Sequence, residues 1–327
     1  MKIAFQMDPI ERIDIAADST FRLAEEAQLR GHSLFYYSPD HLAYQEGQLT
    51  AKGWPLHVQR VVGKHAILDL QQEVHLADFD VIWLRQDPPF DMHYITTTHL
   101  LERVHPETLV VNDPFWVRNY PEKLLVLNFP DLTPPTTIAR DLETIKAFKT
   151  RHGDVILKPL YGNGGAGVFR LDAKDRNLSS LHELFTGCSR EPLIVQKFLP
   201  AVSAGDKRII LVEGVPVGAI NRIPAKGETR SNMHVGGRPE KVGLTDRDLE
   251  ICNRIGPNLR EKGQIFVGID VIGDYLTEIN LTSPTGIQEL ERFDRVNIAE
   301  KVWQAIERKR NLGVDATVGV EPVVTMD

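Results

Sequence analysis

Ile156-Leu157-Lys158-Pro159-Leu160-Tyr161-Gly162-Asn163-Gly164-Gly165-Ala166-Gly167-Val168-Phe169-Arg170-Leu171 joins two apolar runs through four glycines. The glycines satisfy G-x-G-x-x-G letter for letter, so a dinucleotide-binding turn is the first hypothesis. The context opposes it. Such a turn opens a helix whose N-terminus meets a pyrophosphate, whereas Val168 to Leu171 continue with β-branched and aromatic residues. No clear acidic ribose partner follows on a later strand. A Walker A loop fails too, because Gly167 precedes Val168 and Phe169 instead of Lys and Ser or Thr. The residues instead predict a hairpin: a strand carrying Lys158, a glycine turn and a second strand. A tip almost without side chains lets backbone N–H groups approach phosphate oxygens, and Lys158 adds a point charge. For the loop alone, a merely flexible glycine hairpin competes with this reading.

Downstream, the apolar run Ile265 to Ile272 is interrupted by Asp270, and a Gly273-Asp274 turn leads into Leu276-Thr277-Glu278-Ile279-Asn280. Alternation puts Glu278 and Asn280 on one face, and the hairpin brings Asp270 near them. Acids with such apolar flanks are costly unless paired or bound to a cation. A few hard oxygen ligands, supplemented by nucleotide phosphates, suit Mg²⁺. Without HExxH or clustered Cys and His, zinc is disfavoured. A polar sheet edge is the plainer alternative. Between the two motifs, Lys207 and Arg208 open a strand, Arg222 ends the next, and Arg230 lies in the polar, aperiodic segment Ile223 to Pro239, which reads as a lid loop. Arginines there suit bidentate contacts to carboxylate or phosphate, and a solvated loop is the alternative.

Toward the N-terminus, Lys2 to Met7 reads as a buried strand. Asp18 or Ser19 caps a helix through Phe21, Leu23, Ala24 and Ala27 that stops at Gly31, and Ser33 to Tyr37 is a second strand. Asp80 to Leu84 ends in Arg85-Gln86-Asp87-Pro88-Pro89-Phe90, and Leu109 to Asn112 ends in Asp113-Pro114. This is the pattern of an open α/β unit, whose ligands collect beyond the carboxyl ends of its strands, where Arg85 sits; a charge closing a strand is the plainer reading of that residue. After the turn-rich Asn128 to Pro135 come a strand (Thr137 to Arg140), a helix (Leu142 to Thr150) and strands at Asp154 to Pro159 and Val195 to Phe198. A hairpin around Gly214 pairs Arg208 to Val212 with Val217 to Ile220, and a helix from Asp246 to Lys262 leads into the strands Gln264 to Ile272 and Tyr275 to Leu281. Asn311 to Asp327 lack a helical period and read as a loose tail.

At 327 residues the chain has room for two or three domains. Lys and Arg number 38 against 45 Asp and Glu, a formal charge of −7, which argues against general attraction to nucleic acid or anionic lipid. Apolar runs are strand-sized, far short of the roughly 20 residues of a membrane span. Gln6 and Asp8 break the N-terminus before it could make a signal-peptide apolar region, so a cytoplasmic protein is expected. Cys188 and Cys252 form neither a CxxC pair nor a disulfide framework.

Met7-Asp8-Pro9, Arg85 with Asp87-Pro88-Pro89-Phe90, Asn119 to Lys123, Ile156 to Leu160, the glycine loop, Gly205-Asp206-Lys207-Arg208, Gly227-Glu228-Thr229-Arg230, Phe266 to Asp270 and Leu276 to Asn280 occur in one order. That order closely resembles the bacterial glutathione synthetases, which are ATP-grasp ligases, over residues 2 to 308. The resemblance implies an α+β ATP-grasp fold: an N-terminal α/β domain (1–122), a lid with the glycine hairpin (123–200), a C-terminal domain with the metal site (201–310) and a flexible tail (311–327). It implies that ATP phosphorylates the cysteinyl carboxylate of γ-glutamylcysteine, releasing ADP, and that the amine of glycine attacks the acyl phosphate, giving glutathione and phosphate.

By motif, Lys123 and Lys158 would hold phosphates beside Gly162, Asn163, Gly164 and Gly165, and Gln196, Lys197, Phe198 and Leu199 would line the adenine pocket, with Asp206 also on the nucleotide. Asp270, Glu278 and Asn280 would bind Mg²⁺ or Mn²⁺, as two ions. Arg208, Arg222 and Arg230 would be catalytic. Arg85, Arg222, Arg230, Gly236, Ser283 and Thr285 would contact substrate, with Ser283-Pro284-Thr285-Gly286 at the glycine end. A cytoplasmic homotetramer is also implied. The chain departs from the family pattern at Gln86, where Lys is usual, and at Ser231-Asn232-Met233-His234-Val235, where small residues are more typical. Competing readings are another ATP-grasp ligase of the D-alanine–D-alanine type, an NAD-dependent oxidoreductase using the glycine loop, and a non-catalytic ATP-binding module.

Overall fold

The computed structural model describes residues 1–228, 230–233 and 236–311, which form three sheets. The first is built on four parallel strands in the spatial order Ser33–Tyr37, Lys2–Met7, Val81–Arg85, Leu109–Val111. The chain lays its second strand on one side of the first and then crosses to the other. The carboxyl ends of Lys2–Met7 and Val81–Arg85 therefore meet at a switch point, with Met7 in register with Arg85. The intervening helix is Ser19–Leu29, and Asp18 is its cap, accepting from Phe21 N at 2.6 Å. An antiparallel extension made of Leu42–Gln45, Gln48–Val58, Ala66–Leu68 and Gln72–His75 was not foreseen. Gly53 and Pro55 interrupt its longest strand, and such residues usually mark breaks. Gly53 is needed there: a Cβ would lie 2.2 Å from Tyr36 O on the neighbouring strand.

The second sheet is antiparallel, in the order Phe169–Leu171, Val155–Pro159, Leu193–Lys197, Thr136–Ala139. Val155, Leu157, Leu193 and Val195 share a core with Ile145 and Leu178 from the helices Leu142–His152 and Leu178–Cys188. Alternation therefore turns Ile156, Lys158 and Gln196 to the opposite face.

The third sheet runs Arg238–Lys241, Val215–Ile223, Asp206–Val212, Phe266–Ile272, Tyr275–Asn280. Ile209, Leu211, Val267 and Ile269 pack with Ile251, Cys252, Ile255 and Leu259 of the helix Asp246–Glu261. Ile210, Val212 and Ile220 share the other core with Leu290 and Trp303 from the helices Ile287–Asp294 and Ile298–Asn311. The last helix also reaches the first sheet's helix, where Trp303 Nε1 donates to Leu23 O at 2.8 Å and Arg22 bridges Glu291 and Asn297. Asn311 closes this helix instead of starting a tail. The remaining tail, 312–327, and Thr229, His234 and Val235 of the expected lid loop lie outside the described residues. Among the described residues no helix is long and apolar enough to cross a membrane.

The hairpin turn at Gly214 meets the helix Asp246–Glu261 backbone to backbone. A Cβ on Gly256 would stand 2.3 Å from Gly214 O, and one on Gly214 equally close to Gly256 O. Gly256→Ala is expected to cost about 1 to 3 kcal/mol by overpacking, read as a lowered denaturation midpoint. An unchanged midpoint would show that the contact yields freely.

Candidate active site

An open cleft, about 900 Å³ with the solvent at its mouth included, separates the second and third sheets. Ile156, Lys158, Gln196 and Lys197 face it from one sheet, and Asp206, Asp270, Thr277 and Glu278 from the other. Phe198 and Leu199 form the connecting wall, and Gly162, Asn163, Gly164 and Gly165 overhang it. The overhang is a hairpin tip, with Val155 in register with Leu171 and Leu157 with Phe169. It enters a strand where a dinucleotide-binding turn would enter a helix. Gly165 has φ +82°, and a Cβ there would lie 2.9 Å from Asn232 Oδ1, so only glycine lets the tip touch the Arg230–Asn232 segment.

Beneath the tip two lysines converge on one acid. Lys158 Nζ is 3.2 Å and Lys123 Nζ 3.7 Å from Glu278 Oε1, and Lys123 also donates to Gly162 O at 2.5 Å. Burial pushes the Glu278 carboxyl up, but the lysines outweigh it and hold it below the usual range. Burial, with Lys123 nearby, leaves the Lys158 ammonium lowered despite Glu278.

A second charged group lies alongside, and strand register assembles it. Arg208 is opposite Asp270, Asp206 opposite Arg222, and Asp270 opposite Glu278. Arg208 grips Asp270 with both forks, Nε to Oδ1 at 2.5 Å and Nη2 to Oδ2 at 3.0 Å. Arg222 Nη2 lies 2.6 Å from Asp206 Oδ2 and 3.0 Å from Asp270 Oδ1. Ser231 Oγ donates to Asp206 Oδ2 at 2.7 Å, and Asn280 Nδ2 to Asp270 Oδ2 at 3.3 Å. Burial raises Asp270, yet Arg208 and Arg222 hold it far below the usual carboxylate range. For Asp206 burial wins over Arg222, and the carboxyl is raised. Asp206 Oδ1 and Arg222 Nε are buried without partners among the described residues.

A third cluster sits at the switch point of the first sheet. Arg85 is buried, its Nε donating to Thr20 Oγ1 at 2.9 Å and its Nη2 to Pro284 O at 3.1 Å, while Nη1 has no partner among the described residues. Ser283 Oγ donates to Arg85 O at 3.5 Å, and Arg208 Nη1 to Thr285 O at 3.4 Å, which links this cluster to Asp270. Gln86 accepts from Gln6 Nε2 at 3.4 Å.

The cleft thus gathers the nucleotide candidates together with Asp270, Glu278 and Arg230, whose Nη1 donates to Gly165 O at 3.3 Å. Arg208, Arg222 and Asn280 stand behind its carboxylates, and Arg85, Ser283 and Thr285 lie in the neighbouring cluster. Gly236 is not in the cleft wall; its N–H closes a turn on Met233 O at 3.1 Å. Ser231, Asn232, Thr277, Glu122 and Thr282 were not foreseen. Ile156 was readable, since it precedes Lys158 by two on the same strand; Thr277 and Thr282 carry no local signal.

The family model of the prokaryotic glutathione synthetase N-terminal domain matches residues 1–118, and that of the prokaryotic glutathione synthetase ATP-grasp domain matches residues 122–295. A glutathione synthetase of Brucella melitensis biotype 1 is 59% identical over 310 residues, covering 95% of this chain and 99% of that one. One of Mesorhizobium japonicum is 58% identical over 310 residues, with the same coverage of 95% and 99%. Among solved structures, the ATP-grasp ligase PsnB complexed with minimal precursor, Mg and ADP shares the fold with a TM-score of 0.60 at 16% identity, covering 95% of this chain and 98% of that chain.

Asp270→Asn removes the acceptor shared by two buried guanidiniums, and at pH 7 is expected to cost about 3 to 5 kcal/mol of stability. A carboxyl depressed in the fold stabilises above its unfolded pKa of about 3.9 and loses that contribution as pH falls toward the folded value. The gap between wild type and variant should therefore narrow in denaturation curves taken below about pH 4. A gap that stays constant with pH would contradict an ionised Asp270.

Proposed function

The chain belongs to the prokaryotic glutathione synthetase family, and on that premise we propose how its residues divide the work. It is an ATP-dependent carboxylate–amine ligase that makes glutathione. The observation that carries the assignment is the pair Lys123 and Lys158 on Glu278 beneath the glycine tip. Glu278 neutralises both lysines; triphosphate oxygens would take the lysines over, and Glu278 would then hold a cation.

A hard cation fits this donor set. Asp270 and Glu278 are cross-strand partners, Asn280 lies beside Asp270, and all three offer oxygen. PsnB, described with Mg and ADP, supports the choice of Mg²⁺. When bound, Mg²⁺ draws charge from the phosphate oxygens. Gln196, Lys197, Phe198 and Leu199 would line the base pocket, and Asp206 Oδ1, without a partner among the described residues, would accept from a hydroxyl.

A carboxylate is a poor electrophile, so the γ-glutamylcysteine acid is activated as an acyl phosphate before the glycine amine attacks. No side-chain nucleophile is required; cations aimed at developing negative charge supply the catalysis. Arg208, held between Asp270 and Thr285, would steady the acyl phosphate, with Arg222 beside it and Arg230 on the tip. Arg85, whose Nη1 is without a partner among the described residues, would take a peptide carboxylate, and Ser283 and Thr285 would border the glycine end. In this division 1–122, 123–200 and 201–310 are the substrate, lid and metal domains.

ADP release measured with ATP and Mg²⁺, omitting γ-glutamylcysteine and glycine in turn, should depend on the dipeptide for phosphoryl transfer and on glycine for product. Equal turnover with D-alanine, or none of this dependence, would sink the assignment. Glu278→Ala is expected to lower turnover about 100-fold or more with the circular dichroism unchanged. Wild-type turnover of that variant at limiting Mg²⁺ would refute its metal role.

A further inference from the structure

The loop Thr282–Gly286 leaves the strand that carries Glu278 and Asn280, and side chains from four distant places hold it. Glu122 Oε1 accepts from both Thr282 N, at 3.2 Å, and Thr282 Oγ1. Arg85 meets Ser283 and Pro284, Arg208 meets Thr285, and Ser19 Oγ accepts from Gly286 N at 3.2 Å. Within this loop Ser283 has φ +42°, a conformation that persists in a non-glycine residue only where the surroundings over-determine it. Glu122 supplies the carboxylate among these anchors, and bonds to a charged acceptor are the stronger kind.

Glu122 is also the chain neighbour of Lys123, in the single turn Glu122–Leu125. Successive helical side chains diverge, so Lys123 reaches Gly162 and Glu278 while Glu122 reaches Thr282. The same backbone turn is thus fastened to the phosphate end and to the loop of the amine end. We propose that Glu122 is a positioning residue: through Thr282 it sets the Thr282–Gly286 loop against the nucleotide held by Lys123. Its role is that of a hydrogen-bond acceptor, and it touches no reacting atom. The proposal rests on the reading of Lys123 as a phosphate ligand and of the loop as the glycine end.

The test measures nucleotide affinity directly, and the KM for glycine and kcat separately, in Glu122→Ala, Glu122→Gln, Thr282→Val and the Glu122→Ala/Thr282→Val double variant. Glu122→Ala should raise the KM for glycine about tenfold while nucleotide affinity stays within about twofold. Glu122→Gln, which keeps an acceptor oxygen, should stay within about threefold of wild type. The double variant should be no worse than Glu122→Ala alone, because the two residues act through one contact. Additive losses, an unchanged KM for glycine, a nucleotide affinity that falls in step, or no rescue by Glu122→Gln would each overturn the proposal. Lys123→Met separates the premise: unchanged nucleotide affinity there removes the reading of Lys123 and the proposal with it, whereas weakened affinity with no Glu122 effect overturns the proposal alone.

Discussion

A buried charge must be paired, and the cleft of this protein is organised by that requirement. Glu278 faces Lys123 and Lys158, Asp270 faces Arg208 and Arg222, and Asp206 shares Arg222. Strand register sets Arg208 opposite Asp270 and Arg222 opposite Asp206, whereas Glu278 meets Lys158 from the second sheet and Lys123 from the turn Glu122–Leu125. On the proposed roles, a polyanion accompanied by a divalent cation would offer the lysines new acceptors and the acids a new cation.

The three sheets make this exchange local. The second sheet spends one face on its helices, through Val155, Leu157, Leu193 and Val195, and has the other for Ile156, Lys158 and Gln196. The third is covered on both faces, so its charged row survives only at the strand ends toward the cleft. The first sheet contributes at its switch point, where Arg85 is buried against Thr20 and Pro284. Arg208 joins these regions, with its fork on Asp270 and its Nη1 on Thr285. The cleft, the charged row of the third sheet and the loop Thr282–Gly286 are thereby fastened to one another by arginine contacts and by the turn Glu122–Leu125.

How much was readable differs from residue to residue for physical reasons. The glycine tip was legible because the β-branched and aromatic residues after Gly167 cannot open a helix, and the chain does enter a strand there. Asp270 and Glu278 were legible because an acid inside an apolar run has few fates. The strand Gln48–Val58 was not, since Gly53 and Pro55 ordinarily mark breaks and only the close passage of the neighbouring strand shows why Gly53 is there. The helices Ile287–Asp294 and Ile298–Asn311 also escaped notice, although Leu290, Val302 and Trp303 carry their buried faces. Thr282 and Ser231 resemble any other loop hydroxyl until a partner from another part of the chain stands beside them.

By itself, then, the order of residues determined what is local: period-two alternation at Lys158 and Glu278, a turn that only glycines can make, a helix start at Asp18 or Ser19, and the collinear motifs of the family. Tertiary structure alone decided what depends on distant partners. It set Arg208 on Asp270 across a strand, left Arg85 Nη1 and Asp206 Oδ1 without partners among the described residues, and put Glu122 against Thr282, 160 residues away. Hydrogen bonds and ion pairs act over a few ångströms of space, whereas sequence patterns register only neighbours along the chain. A contact between distant segments is therefore settled when the sheets pack.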